Sequence, residues 1–158
     1  MSDQNRLVWL KGKLIRAKDA TVSVFSPAFL YGVSVFDGIR YYKSENDNKL
    51  NGFRVRDHIR RLLNSAKLIR LEHSYSSEEI EIAIIETIQG NNFDSDLAVR
   101  PTIFLDGEGN WSSRNPCGLF IAPILRPREN VIQGLKCNVS SWERINDRSI
   151  SPRIKVGA

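Results

Sequence analysis

With 158 residues, 41% of them hydrophobic, the chain can bury one globular core and the opening of a second. Its longest nearly apolar run, Cys117 to Leu125, is too short to cross a bilayer and is broken by Pro123, and no basic-then-apolar leader precedes the first strand, so neither a membrane span nor secretion is expected. Two cysteines without ligand-like spacing argue against a disulfide framework or a metal site, and the +5 charge is mixed with acids, as in Arg54-Val55-Arg56-Asp57, instead of forming a nucleic-acid stripe. The expectation is a cytoplasmic protein without metal, membrane or nucleic-acid partner; a basic, non-catalytic binding module is the rival class.

In chain order, Leu7 to Leu10 and Leu14-Ile15 predict a hairpin with Gly12 in the turn. Ala20 to Phe25 alternates loosely and is expected to end at Pro27. Ser34 to Tyr42 is rich in strand formers, with an interruption at Gly38, and Leu50 to Val55 follows a polar turn as a further strand. Ile59, Leu62, Leu63, Ala66 and Ile69 then recur at helical spacing. A second helix is expected from Ser76, where Glu79 completes a capping box, to the stop at Gly90-Asn91-Asn92. Strands are predicted over Leu97 to Leu105, Leu119 to Leu125 and Leu135 to Ser141. This order predicts an α+β small N-terminal domain, residues 1–125, built from strands and two helices. A linker over 126–133 and the first strand of a truncated larger domain, 134–158, are expected after it.

Few residues invite chemistry. A lysine near a chain end is ordinarily a solvated charge, but Lys155 lies between Ile154 and Val156 with Gly157 behind it; desolvated, its amine would be free for Schiff-base formation. Arg61, at the edge of a helical apolar stripe, either covers the core with its stem or turns a planar guanidinium toward a phosphate. Strand alternation puts Phe36, Gly38 and Arg40 on one face, which suits an amphiphilic acid, and Arg100 is a lone charge in an apolar strand. His58 and His73 read as helix-surface residues, and Gly107-Glu108-Gly109 lacks the setting of a dinucleotide site.

Several of these segments together carry a family pattern. Leu30-Tyr31-Gly32 with Ser34-Val35-Phe36-Asp37-Gly38-Ile39-Arg40, then Asp57-His58 through Arg61-Leu62, Asn64-Ser65-Ala66-Lys67, Val99-Arg100-Pro101, and Pro152-Arg153-Ile154-Lys155-Val156-Gly157-Ala158 resemble, in order, the signature of branched-chain (class IV, fold-type IV) pyridoxal-phosphate aminotransferases. The resemblance implies pyridoxal 5'-phosphate as cofactor, Lys155 as the catalytic Schiff-base and proton-shuttling lysine, and Arg61 as the phosphate-binding arginine. It implies substrate contacts from Tyr31, Phe36, Arg40 and Arg100, the last toward an acidic side chain. The partners implied are an amino acid, 2-oxoglutarate and a second copy in a homodimer.

Three features depart from that pattern: Ala98 replaces a usual tyrosine, Asp37 a usual glutamate, and Arg126 to Asn130 lacks the aromatic residues that wall a branched side chain. They leave D-amino-acid or (R)-amine transamination, and aminodeoxychorismate lyase chemistry, open beside the branched-chain reading. The chain ends three residues after Lys155, where the family continues into a cofactor-binding domain. The expectation is a fragment or a degenerate remnant, inactive by itself.

Overall fold

The computed structural model describes residues 5–114, 116–128, 134–143 and 145–157. Lys11 and Gly12 both take positive φ, 50° and 84°, the conformation that matches strand twist in a two-residue turn. They close β1 (Leu7–Leu10) onto β2 (Lys13–Arg16). Ala20 to Phe25 forms no strand. Pro27 opens an element instead of ending one, because its fixed φ and missing N–H suit the first turn of a helix. Ser26 Oγ accepts the Phe29 N–H, and α1 (Pro27–Tyr31) ends on Gly32 in the left-handed region.

Strands β3 (Ser34–Phe36) and β4 (Ile39–Lys43) pair with β6 (Leu97–Leu105) in one continuous register, Phe36 opposite Thr102 and Ile39 opposite Val99. The interruption between them originates in the facing strand, not in Gly38. Asp37 donates its N–H to the Pro101 carbonyl at 3.0 Å, and proline has no N–H to return. β5 (Leu50–Gly52) stops short of Val55, which instead begins α2 (Val55–Leu68). The capping box forms as expected: Ser76 Oγ accepts the Glu79 N–H and the Glu79 carboxylate accepts the Ser76 N–H, opening α3 (Ser77–Asn91). Asn92, at φ 49°, ends that helix, while buried Asn91 exchanges hydrogen bonds with both backbone groups of Leu7.

β7 (Cys117–Leu125) pairs with β6 throughout and with β1 at Trp9 and Leu10. The sheet order is β2-β1-β7-β6-β4-β5, with β3 beside β6, and every pairing is antiparallel. Helices α2 and α3 cover one face, where Ile59, Leu62, Ile80 and Ile84 meet Val35, Ile39, Leu97, Val99 and Ile103. The fold is therefore α+β, with a short third helix beyond the two expected. Alternation sends Phe36, Arg40 and Arg100 to the opposite face of the sheet.

The strand expected over Leu135 to Ser141 does not form. Leu135 and Val139 are exposed, and no described strand lies alongside to take their backbone groups. Within the expected linker, residues 129–133 lie outside the described set. Arg128 is tied back to the sheet, Nε donating to Asp96 at 2.7 Å and Nη2 to the Lys43 carbonyl at 3.1 Å.

Candidate functional site

The segment carrying Lys155 returns to the sheet. Val156 bridges Val35 in the antiparallel sense, Phe36 donates its N–H to the Lys155 carbonyl at 2.9 Å, and Gly157 donates to the Ser34 carbonyl at 2.8 Å. Glycine at 157 leaves room for the Ser34 hydroxyl, since a Cβ there would lie 2.2 Å from Ser34 Oγ. From the helical side, buried Ser65 on α2 accepts the Lys155 N–H at 3.3 Å, and Ile154 packs on the core. The lysine backbone is thus held between β3 and α2.

Its side chain is exposed, with Nζ 5.1 Å from the centre of the Phe36 ring. The desolvation expected from Ile154 and Val156 does not occur, because in extended backbone the flanking side chains face the other way. Phe36 also receives Arg100, whose guanidinium carbon lies 3.8 Å from the ring centre. That contact and solvent explain how an arginine sits in this apolar strand.

Arg61 is already engaged. Its Nε donates to Asp37 Oδ2 at 2.7 Å and its Nη2 to Oδ1 at 2.6 Å, a planar fork on a carboxylate that is fully buried while the arginine is half exposed. His58 Nδ1 lies 2.9 Å from the same Oδ1, close enough to donate when that nitrogen carries the proton, and the Gly38 N–H adds a bond at 2.7 Å. Burial alone would raise the Asp37 pKa. The bonds from Arg61, His58 and Gly38, with the Arg61 charge, outweigh it and hold the carboxyl below its ordinary range. The same bond pushes Arg61 upward.

Arg61, Phe36 and Lys155 line one cleft of about 550 Å³, with Glu143 and residues 150–154 completing the wall. Of the other expected site residues, Arg100 joins this group through Phe36. Arg40 lies on the same sheet face but opposite Ala98, its guanidinium 5.3 Å from the Tyr42 ring. Tyr31, at the end of α1, is exposed and does not line the cleft.

Three contributors escaped the sequence reading: Asp37 as the arginine's partner, His58, and Ser65. For His58 and Ser65 the signal was helical spacing, since 58, 61, 62 and 65 share one side of α2; Asp37, outside that helix, had no such local signal. His58 is therefore no simple surface residue. His73 is not on a helix either; it lies in the loop before α3, its Nδ1 buried without a hydrogen-bond partner among the described residues.

A model of the amino-transferase class IV family matches residues 34–158. The branched-chain-amino-acid aminotransferase of Escherichia coli (strain K12) is 35% identical, over 95% of this chain and 50% of that protein. The enzyme of that name from Pseudomonas aeruginosa is 30% identical, over 91% and 48%. Among solved structures, the branched-chain aminotransferase of Thermoproteus uzoniensis with norvaline superposes with a TM-score of 0.86 at 36% identity, covering 96% of this chain and 51% of that one. The branched-chain amino acid aminotransferase of Thermobaculum terrenum in its PLP-form gives 0.81 at 29% identity, covering 98% and 51%. The chain spans about half the length of the curated relatives it matches. The matched span runs from the strand that receives Gly157, through Asp37 and Arg61, to Lys155 itself, and the chain belongs to the class IV aminotransferase family.

Proposed function

We propose that the intact protein transfers an amino group between a branched-chain amino acid and 2-oxoglutarate, using pyridoxal 5'-phosphate. The carrying observation is that Lys155 and Arg61, an amine and a guanidinium from distant parts of the chain, face one cleft of about 550 Å³. Its size suits a small cofactor, and the donor set suits this one. Arg61 Nη1 makes no bond to a described residue, which leaves it for a phosphate; Lys155 Nζ is exposed toward an aldehyde, and Phe36 offers an aromatic wall.

When bound, the cofactor supplies an electron sink that makes the substrate α-proton removable. Lys155 would hold the cofactor through its amine and, once released by the incoming substrate, would carry the α-proton as an acid–base group. Arg61 binds the phosphate. Arg100, stacked on Phe36, takes an acidic side chain, while Arg40 and Tyr31 complete the substrate side, Tyr31 in an assembled homodimer. A cytoplasmic setting accompanies this reading. The 158-residue chain by itself is expected to be inactive.

Borohydride reduction of the full-length protein loaded with pyridoxal phosphate, followed by peptide mapping, tests the assignment. A pyridoxyl group on Lys155 is expected. A label on another lysine, or none, overturns the reading. Rates with L-branched, D- and (R)-amine donors then decide the substrate class.

A further inference from the structure

We propose that Asp37, braced by His58, is the positioning residue that aims Arg61 at the phosphate and sets its spacing from Lys155. The inference rests on the reading of Arg61 as the phosphate ligand and goes beyond it, to what makes that arginine competent before anything binds.

An arginine half exposed on a helix samples many rotamers, and binding an anion would require it to lose them. Here the freedom is already gone. The Nε and Nη2 edge is spent on Asp37, at 2.7 Å and 2.6 Å, so the plane of the guanidinium is fixed. In a planar guanidinium forked along that edge, Nη1 lies on the side away from the carboxylate. The carboxylate is itself immobile. It is fully buried, and Oδ1 also meets His58 Nδ1 and the Gly38 N–H. Such a buried acid keeps its charge only while these partners hold it.

The second half of the inference concerns distance. Asp37 directly follows Phe36, whose N–H holds the Lys155 carbonyl at 2.9 Å. The last residue of β3 and the one that follows it therefore locate the aldehyde end and the phosphate end of the cleft. The Asp37 backbone is anchored in turn by its N–H on the Pro101 carbonyl.

The test compares pyridoxal phosphate with pyridoxal, which lacks the phosphate, as ligands of the full-length protein, following the absorbance of the lysine adduct. Wild type should prefer the phosphorylated form, and Arg61→Ala should abolish that preference. If Arg61→Ala keeps it, the phosphate role of Arg61 fails, and with it the premise. Given that premise, Asp37→Asn should reduce the preference by about tenfold, the scale of one charge-assisted contact. Affinity for pyridoxal should hold within about twofold. Adding Asp37→Asn to Arg61→Ala should change the preference no further. An equal loss for both ligands would mark Asp37 as merely structural, and no loss would leave it idle; either overturns the proposal. Should Asp37→Asn fail to fold, a crystal structure of the wild-type holoenzyme decides. Arg61 still forked on Asp37 while Nη1 meets the phosphate supports the inference, and an Arg61 swung off Asp37 overturns it.

Discussion

Lys155 and Phe36 meet twice: the Phe36 N–H holds the Lys155 carbonyl at 2.9 Å, and the Phe36 ring lies 5.1 Å from the Lys155 ammonium. One residue thus anchors the backbone of the candidate catalytic lysine and forms the aromatic surface beside its amine. Disturbing this strand pairing should therefore be read out at the lysine.

Gly157→Ala is the sharpest disturbance. The added Cβ would come within 2.2 Å of Ser34 Oγ, so either that hydroxyl or the segment must shift. In the full-length protein the variant should lose cofactor affinity, measured by titrating the absorbance of the lysine adduct. Ser34→Ala removes the obstructing oxygen, and the double variant should recover most of the loss. Additive losses would show that steric conflict is not the cause.

Asp37 should leave a signature in acid. Its folded-state pKa is depressed, so the stabilisation it provides is present above its unfolded value near 3.8 and disappears as pH falls through the lower folded value. Asp37→Asn should be less stable than wild type at pH 6, and the gap in urea midpoint should close below about pH 4. Asp47, Asp57, Glu79 and Asp96 shift in the same direction, so the difference between the two proteins isolates Asp37.

Arg100→Leu removes the guanidinium stacked on Phe36. Under the proposed function, KM for 2-oxoglutarate should rise about tenfold while KM for leucine moves less than about twofold. Steady-state kinetics in each direction separates these. Equal changes would assign Arg100 to general packing.

Ser76→Ala serves as a control distant from the cleft. It deletes the cap that receives the Glu79 N–H and should cost about 1 kcal/mol of stability. Cofactor affinity should be unchanged.

Local chemistry made much of the fold legible. The Gly12 turn, the Ser76–Glu79 box and the stripe from Ile59 to Ala66 act over a few residues, and the structure has each where the spacing predicts it. What was not legible depends on facing partners. Nothing near Gly38 reveals that Pro101 breaks the ladder at Asp37, because the two meet only through the pairing of β3 with β6. Arg61 could be placed at the edge of its helix, but the acid that holds it lies 24 positions earlier. The exposure of Lys155 has a simpler cause: apolar neighbours in sequence are not neighbours in space along an extended segment. The strand expected from Leu135 has the residue types but no described partner strand, and β-propensity without pairing makes no strand.

The docking of residues 154–157 has a consequence for solubility. β3 lies between β6 on one side and this segment on the other, so the N–H of Phe36 and the carbonyl of Ser34 are both taken. Without that cover, β3 would become an open edge beside buried Val35, offering unpaired backbone groups to any passing strand. The lysine segment is thus also an edge guard. A chain shortened to residue 150 should self-associate through β3 in proportion to its concentration, even with its helices and remaining strands intact.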